Sequence, residues 1–375
     1  MNTKRPCQTE TFLQELVSIE TCDPPGNEIE AANLIASRLD EFGIEVEIDE
    51  FLPGRANVLG RLRGQDRKPP LVYSAHIDTV PIGNQTWSVG AFSGEIRDGR
   101  LYGRGASDMK SGLVAMAIAA RDLAERGVPL AGDLILAFSA GESSNCLGAK
   151  RFVERGLLAQ AGALLVSEPS SLQLVTAEMG VLWLRAVSHG KIGHVSGNGG
   201  ANAIDGMLGF LGKIGAHVLP EMDHAILPEQ SLSVGRIRGG SAVNVTPDLC
   251  EAEIDIRLRP NVDIDTVVNG LRALAPATID IEVTDFKPAV ETAASDPFAM
   301  LCAQILEPHT GQAPKALGVS YYSDATILST AHGTPFTIIG PGDLGMSGEA
   351  DESVSLDALH KSVQIYSDIA ERWLS

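Results

Sequence analysis

Basic residues are in short supply. Lys and Arg number 29 against 48 Asp and Glu, a net charge of −19. A chain this acidic repels the phosphates of nucleic acids and of anionic membrane surfaces, so neither is an expected partner. Cysteine is sparse and scattered: Cys7, Cys22, Cys146, Cys250 and Cys302, an odd set without a CxxC pair. That excludes a disulfide framework and fits a reducing compartment. Apolar runs stay well below the roughly 18 residues of a transmembrane helix. The stretch Met1–Pro6 lacks the apolar segment of a secretory signal. Repeats and low-complexity tracts are also missing. The expectation is a soluble cytoplasmic protein.

What is present is an ordinary globular composition, 44% hydrophobic and 21% charged over 375 residues, long enough for two domains. Helical spacing marks residues 8–20, 28–43, 111–125 and 147–156. Apolar strand patterns lie at 44–51, 57–62, 70–75, 134–139 and 163–166. Strands alternating with helices predict an α/β fold with a mixed, largely parallel sheet flanked by helices. Near residue 180 the texture changes. Strands at 181–187, 231–237, 252–258 and 279–283, with helices at 201–214 and 264–274, follow the β-α-β-β-α-β order of a ferredoxin-like unit. From about residue 290 the α/β texture returns, with helices at 297–307, 323–332 and 356–373 and a short strand at 337–339. The expected organisation is a discontinuous catalytic domain, 1–177 with 289–375, interrupted by an inserted ferredoxin-like α+β dimerisation (lid) domain at 178–288.

The chain's chemistry centres on Ser74-Ala75-His76-Ile77-Asp78-Thr79-Val80-Pro81. His76 ends a buried strand, and Asp78 shares its face of the extended segment. A histidine backed by a carboxylate is a metal ligand with its supporting group, although the pair also occurs as plain structure. Asp108, Glu142 and Glu168 follow at intervals of 32, 34 and 26 residues. Each interval is about one strand–helix unit, so each acid can arrive at the same sheet edge. Deprotonated N and O donors with an open position, plus a nearby base, are what a hydrolytic metal site needs.

Taken in order, S-A-H-I-D-T-V-P (74–81), L-Y-G-R-G-A-S-D-M-K-S-G (101–112), F-S-A-G-E (138–142), S-E-P-S (167–170), G-H-V-S (193–196), G-G-S-A-V-N-V-T-P (239–247), D-I-R-L-R-P (255–260) and G-P-G-D (340–343) resemble the M20 family of metallopeptidases and amidohydrolases. That family includes acetylornithine deacetylase, succinyl-diaminopimelate desuccinylase and the glutamate carboxypeptidases. The resemblance implies that His76, Asp108 and Glu168 ligate a divalent metal, zinc first and cobalt or manganese next. It implies that Asp78 orients His76 and that Glu142 is the general base. His194 would reach across a homodimer interface to the oxyanion, and Asn244 and Arg257 would hold the substrate. Other readings remain: Asp108 as a helix N-cap, His194 as a surface histidine, Arg257 as a solvated arginine. Tyr321 and Tyr322 either line the substrate site or simply pack. His189, His217, His224, His309 and His360 match no motif and are expected to be structural, with His332 a helix-end residue.

The chain departs from the family pattern twice. Where the family has Asp-Glu-Glu, this chain has Gly141-Glu142-Ser143. With Ser139-Ala140 aligned to the family's Thr-Ala, Glu142 is the base and Ser143 replaces a ligand of the second metal. A one-residue slip would instead make Glu142 the ligand and remove the base. Near the C-terminus, Gly348 stands where the family has a histidine ligand of that same metal. The expectation is one or two ions per subunit, with one intact site. The expected activity is hydrolysis of the amide bond in N-acyl amino acids or related small carboxylate-bearing amides. Altered C–N hydrolysis, as in an aminohydrolase, and a catalytically silent binding protein are the alternatives.

Overall fold

The computed structural model describes residues 8–197, 200–215, 219–311 and 313–375. The chain divides into two bodies. One contains the residues up to Thr176 with Glu291–Leu317 and Ser323–Ser375; the other contains Ala177–Val290 with Gly318–Tyr322.

The first body is built on a mixed sheet. Six of its nine strands lie in the order Glu45–Leu52, Arg55–Leu62, Leu134–Ser139, Leu71–His76, Ala163–Val166, Phe336–Ile338. The last four run parallel, and the first two form an antiparallel edge. Strands 71–76, 134–139 and 163–166 are buried along their whole length. Their continuous apolar runs follow from that, since a parallel sheet is covered on both faces. The covering helix Ser111–Glu125 (SGLVAMAIAARDLAE) is buried almost all round. Its small residues let the helix lie close to its neighbours, among them the C-terminal helix Leu356–Trp373.

Register sets the functional edge. His76 pairs with Ser139 and Ser74 with Val166, so two parallel strands end together and the third ends two residues short of them. The loops that leave them carry Asp78, Glu142 and Glu168.

A small sheet of Glu95–Arg97, Arg100–Tyr102 and Ser353–Ser355 was not expected from the sequence. Its three-residue strands are too short to show periodicity, and two of them lie in a glycine-punctuated stretch that reads as loop. This sheet brings the residues just before Ser353 to the loop that carries Asp108.

In the second body, four antiparallel strands lie in the order Ser231–Gly239, Leu249–Leu258, Gly180–His189, Ile279–Lys287. That is chain order 2-3-1-4, the arrangement of a split β-α-β sandwich. Inward residues alternate along its strands: Leu182, Leu184 and Ala186, and Ala252, Ile254, Ile256 and Leu258. They form one core with Met207 and Phe210 of helix Ala203–Leu211 and Val267, Val268 and Leu271 of helix Ile264–Leu274. Asn202 and Asp263 cap the two helices through their side chains. The segment Gly318–Tyr322 also belongs here, although the sequence expectation left it in the first body. The Met179 N–H donates to the Val319 carbonyl at 3.1 Å, and the Tyr322 ring meets Trp183 edge to face at 6.2 Å.

Candidate metal centre

His76 is buried at the end of its strand. Its Nδ1 lies 2.8 Å from the Asp78 carbonyl oxygen, and a carbonyl can only accept. Nδ1 therefore carries a hydrogen, and Nε2 faces Asp108 Oδ1 at 3.1 Å and Glu168 Oε1 at 3.6 Å. Donor atoms of His76, Asp108 and Glu168 all lie within 4.8 Å of one another. Among the described residues no other group of three His, Cys, Asp or Glu comes together in this way.

Asp78 does something other than the sequence suggested. Its carboxylate stays 3.9 Å from His76 Nδ1 and accepts the backbone N–H groups of Glu142 (3.0 Å) and Ser143 (3.1 Å). The main chain of Asp78 orients the imidazole, and its side chain holds the turn that presents Glu142. Glu142 is buried and lies outside the three-donor cluster.

Asp108 sits in the turn Ala106–Lys110, where its own backbone is extended (φ −125°, ψ 97°) and the following peptide is cis. Lys110, not Asp108, stands at the N-cap position of the next helix, so the capping role is set aside. This turn is held by a residue far along the chain. Glu352 is buried, and its Oε1 accepts the N–H groups of Gly105 (3.0 Å), Ser107 (2.9 Å) and Asp108 (3.0 Å). Its other oxygen meets the wholly buried Arg104 guanidinium at 2.5 Å.

A second support lies beneath the Glu142 turn. Arg55 binds Asp23 through both terminal nitrogens (2.5 and 3.1 Å). Gly141 is left-handed (φ +70°), and a Cβ there would come within 2.3 Å of Arg55 Nη1. The Asp23 backbone in turn pairs with Thr79, in the loop after His76. Glu28 is buried 3.8 Å from Arg55. Burial, then the Asp78 charge, pushes its carboxyl up to about 7.

The charges favour a bound cation. Burial pushes Glu142 well above the usual carboxylate range; His76 opposes this, while Asp324, Asp78 and Asp108 add to it. Burial and then Asp108 push Glu168 up likewise. Burial also acts to raise Asp108, but hydrogen bonds from His76 and Ser347 outweigh it and leave that carboxyl low. Burial alone would pull His76 down, yet Glu168, Asp108 and Asp78 carry it well above its ordinary value. Several carboxylates thus share one imidazole as counter-charge. A divalent ion among three N and O donors relieves that excess, and the donor set fits a borderline metal.

The remaining candidates lie in the second body. His194 is exposed, pairs with Val245 in a two-residue strand, and its Nδ1 accepts from Ser196 Oγ at 2.7 Å. Asn244 is exposed beside it, and its carbonyl accepts the Val195 N–H. Arg257 is not free in the expected way: Nε and Nη2 sit on Asp255 at 2.7 and 3.0 Å. Its guanidinium lies 5.6 Å from the Tyr322 ring centre. Tyr322 is also packed against Trp183 and Lys287. Of the histidines set aside, His189, His309 and His360 pair with Asp280, Asp368 and Glu10, and His224 accepts backbone N–H groups. His217 lies outside the described residues.

Two carboxylates converging on a strand-end imidazole, with a further buried acid on a neighbouring loop, fit the class of metal-dependent hydrolases. Residues 72–372 match the model of peptidase family M20/M25/M40, and the chain belongs to that family. It is 26% identical to a probable succinyl-diaminopimelate desuccinylase of Staphylococcus epidermidis, over 97% of both chains. It is 27% identical to the acetylornithine deacetylase of Vibrio campbellii, over 93% of both. The M20 metallo-carboxypeptidase Sso-CP2 of Sulfolobus solfataricus has the same fold, with a TM-score of 0.84 at 17% identity over 98% of this chain and 99% of that one. The protein is a metal-dependent hydrolase of amide bonds. No helix among the described residues is long and apolar enough to cross a membrane.

Proposed function

We propose that this chain hydrolyses the amide bond of N-acyl amino acids, or of related small amides that carry a carboxylate. It would do so with one divalent ion, zinc first, held by His76, Asp108 and Glu168. The convergence of those three donors within 4.8 Å carries the reading. A divalent ion in such a set supplies Lewis-acid chemistry, polarising a carbonyl and acidifying water. The rest falls to the protein. Glu142 takes a proton from the attacking water and returns it to the leaving nitrogen, a task suited to a carboxyl whose proton affinity burial has raised. Asp78 keeps Glu142 in register with His76 through the Glu142 and Ser143 N–H groups.

His194 and Asn244 serve the oxyanion and the substrate from the second body. Arg257 contributes by sharing its fork between Asp255 and a substrate carboxylate. A homodimer through the second body accounts for the bare apolar residues flanking His194 and Asn244: Ile192, Val195 and Val243, the last of them fully exposed.

A panel of N-acetyl, N-formyl and N-succinyl amino acids, each assayed with zinc, manganese and cobalt, tests the substrate class. Turnover of at least one acyl series is expected, lost on chelation and restored by metal. Activity untouched by chelation would refute the reading. Gly141→Ala brings a Cβ within 2.3 Å of Arg55 Nη1 at a left-handed position, so the Arg55 fork on Asp23 or the Glu142 turn must give. We expect kcat to fall on the order of 10²-fold, the cost of about an ångström of misplacement, with metal content unchanged in elemental analysis.

A further inference from the structure

The two oxygens of Asp108 face different partners. Oδ1 points to His76 Nε2 at 3.1 Å. Oδ2 accepts a hydrogen bond from the Ser347 hydroxyl, 239 residues along the chain. We propose that Ser347 is a positioning residue of the metal centre. Its hydroxyl occupies the outer oxygen of Asp108, turns the inner oxygen toward the site and, with no second donor cluster among the described residues, leaves that carboxylate to a single ion. The proposal rests on the reading of His76, Asp108 and Glu168 as ligands.

The segment that brings Ser347 to Asp108 is built for the purpose. Wholly buried Arg104 donates to the carbonyls of Gly348 (2.9 Å), Glu349 (3.3 Å) and Pro81 (3.2 Å) as well as to Glu352. One guanidinium therefore ties the Ser347 loop to the loop after His76 and to the residue that holds the Asp108 turn. Within the loop, the Met346 N–H bonds the Asp343 carbonyl and the Glu349 N–H bonds the Met346 carbonyl, at 3.1 and 3.3 Å. Asp343 is itself fixed by Arg100 at 2.5 Å.

The chemistry follows from competition. A carboxylate can bridge two cations, one on each oxygen. A hydroxyl proton on the outer oxygen competes with a second cation for the same lone pairs. At the two positions where the family pattern supplies the second ion's ligands, Gly348 has no side chain and Ser143 offers a hydroxyl in place of a carboxylate. Among the described residues no second donor cluster shares Asp108. The hydroxyl also stabilises the anionic carboxylate, as a hydrogen bond to the charged form does. Outer partners of this kind are worth about 10- to 100-fold in metal affinity.

The test is zinc titration against a competing chelator, with elemental analysis, on four full-length proteins: wild type, Ser347→Ala, Ser347→Thr and His76→Ala. Wild type is expected to bind one ion. Ser347→Ala should still bind one ion but about tenfold more weakly, with an unchanged unfolding temperature in the metal-free state. Ser347→Thr, which keeps the hydroxyl, should stay within about twofold of wild type, while His76→Ala should lose the ion. Equal affinity in wild type and Ser347→Ala, a Ser347→Thr variant as weak as Ser347→Ala, or a drop confined to proteins with lowered metal-free stability would overturn the proposal. So would a second tightly held ion in wild type. If His76→Ala instead binds like wild type, the ligand reading itself falls, and the two failures are distinct.

Discussion

Glu142→Gln is expected to lower kcat by about 10²- to 10⁴-fold, the usual contribution of a positioned acid–base group, while KM and metal content stay near wild type. The side chain keeps its shape, and its backbone stays pinned by Asp78, so the change removes proton transfer and little else. The same variant decides the alignment that the sequence left open. Were Glu142 a ligand, removing its charge would release metal along with activity. Its position outside the cluster of His76, Asp108 and Glu168 favours the base. Steady-state kinetics and elemental analysis on one preparation separate the outcomes: intact metal with low kcat supports the base, and lost metal supports the ligand.

Glu352→Ala is expected to be the most damaging single change to the fold around the site. It strips a buried acceptor from three N–H groups and leaves the Arg104 guanidinium uncompensated. Breaking one side of a buried charge pair costs about 3–5 kcal/mol. Because the three N–H groups belong to the Asp108 turn, metal affinity should fall with stability. Denaturant unfolding of the metal-free protein and a zinc titration check the two parts. Glu352→Gln keeps one oxygen acceptor for those N–H groups but not the charge opposite Arg104, so it should lie between wild type and Ala. A Glu352→Ala protein as stable as wild type would show that Arg104 and the turn find other partners.

The parts of the site that the sequence made legible are the parts built locally. His76, Glu142 and Glu168 each follow a short apolar strand, and parallel strands that end close together must deliver such residues to one edge. Asp108 is marked by the glycines before it and the apolar helix after it. The second body was legible for the same reason, since alternation and helical spacing survive in its longer strands and helices. What was hidden is long-range. Ser347 and Glu352 reach Asp108 only because three-residue strands pair Arg100–Tyr102 with Ser353–Ser355, and such strands leave no periodic trace. Arg55 meets Gly141 across 86 positions with no motif to announce it.

Asp78 shows a different limit. Spacing put it beside His76 but could not say whether its carbonyl or its carboxylate faces the ring. For Arg257 the sequence held a further clue. Asp255 lies two residues away on the same strand, hence on the same face, and that spacing already places an acid where the fork can reach it.

If one divalent ion sits on His76, Asp108 and Glu168, the metal-to-protein ratio of the purified, dialysed chain is one in wild type and near zero in His76→Ala. Two tightly held ions per chain, or an undiminished ratio in His76→Ala, would contradict that placement.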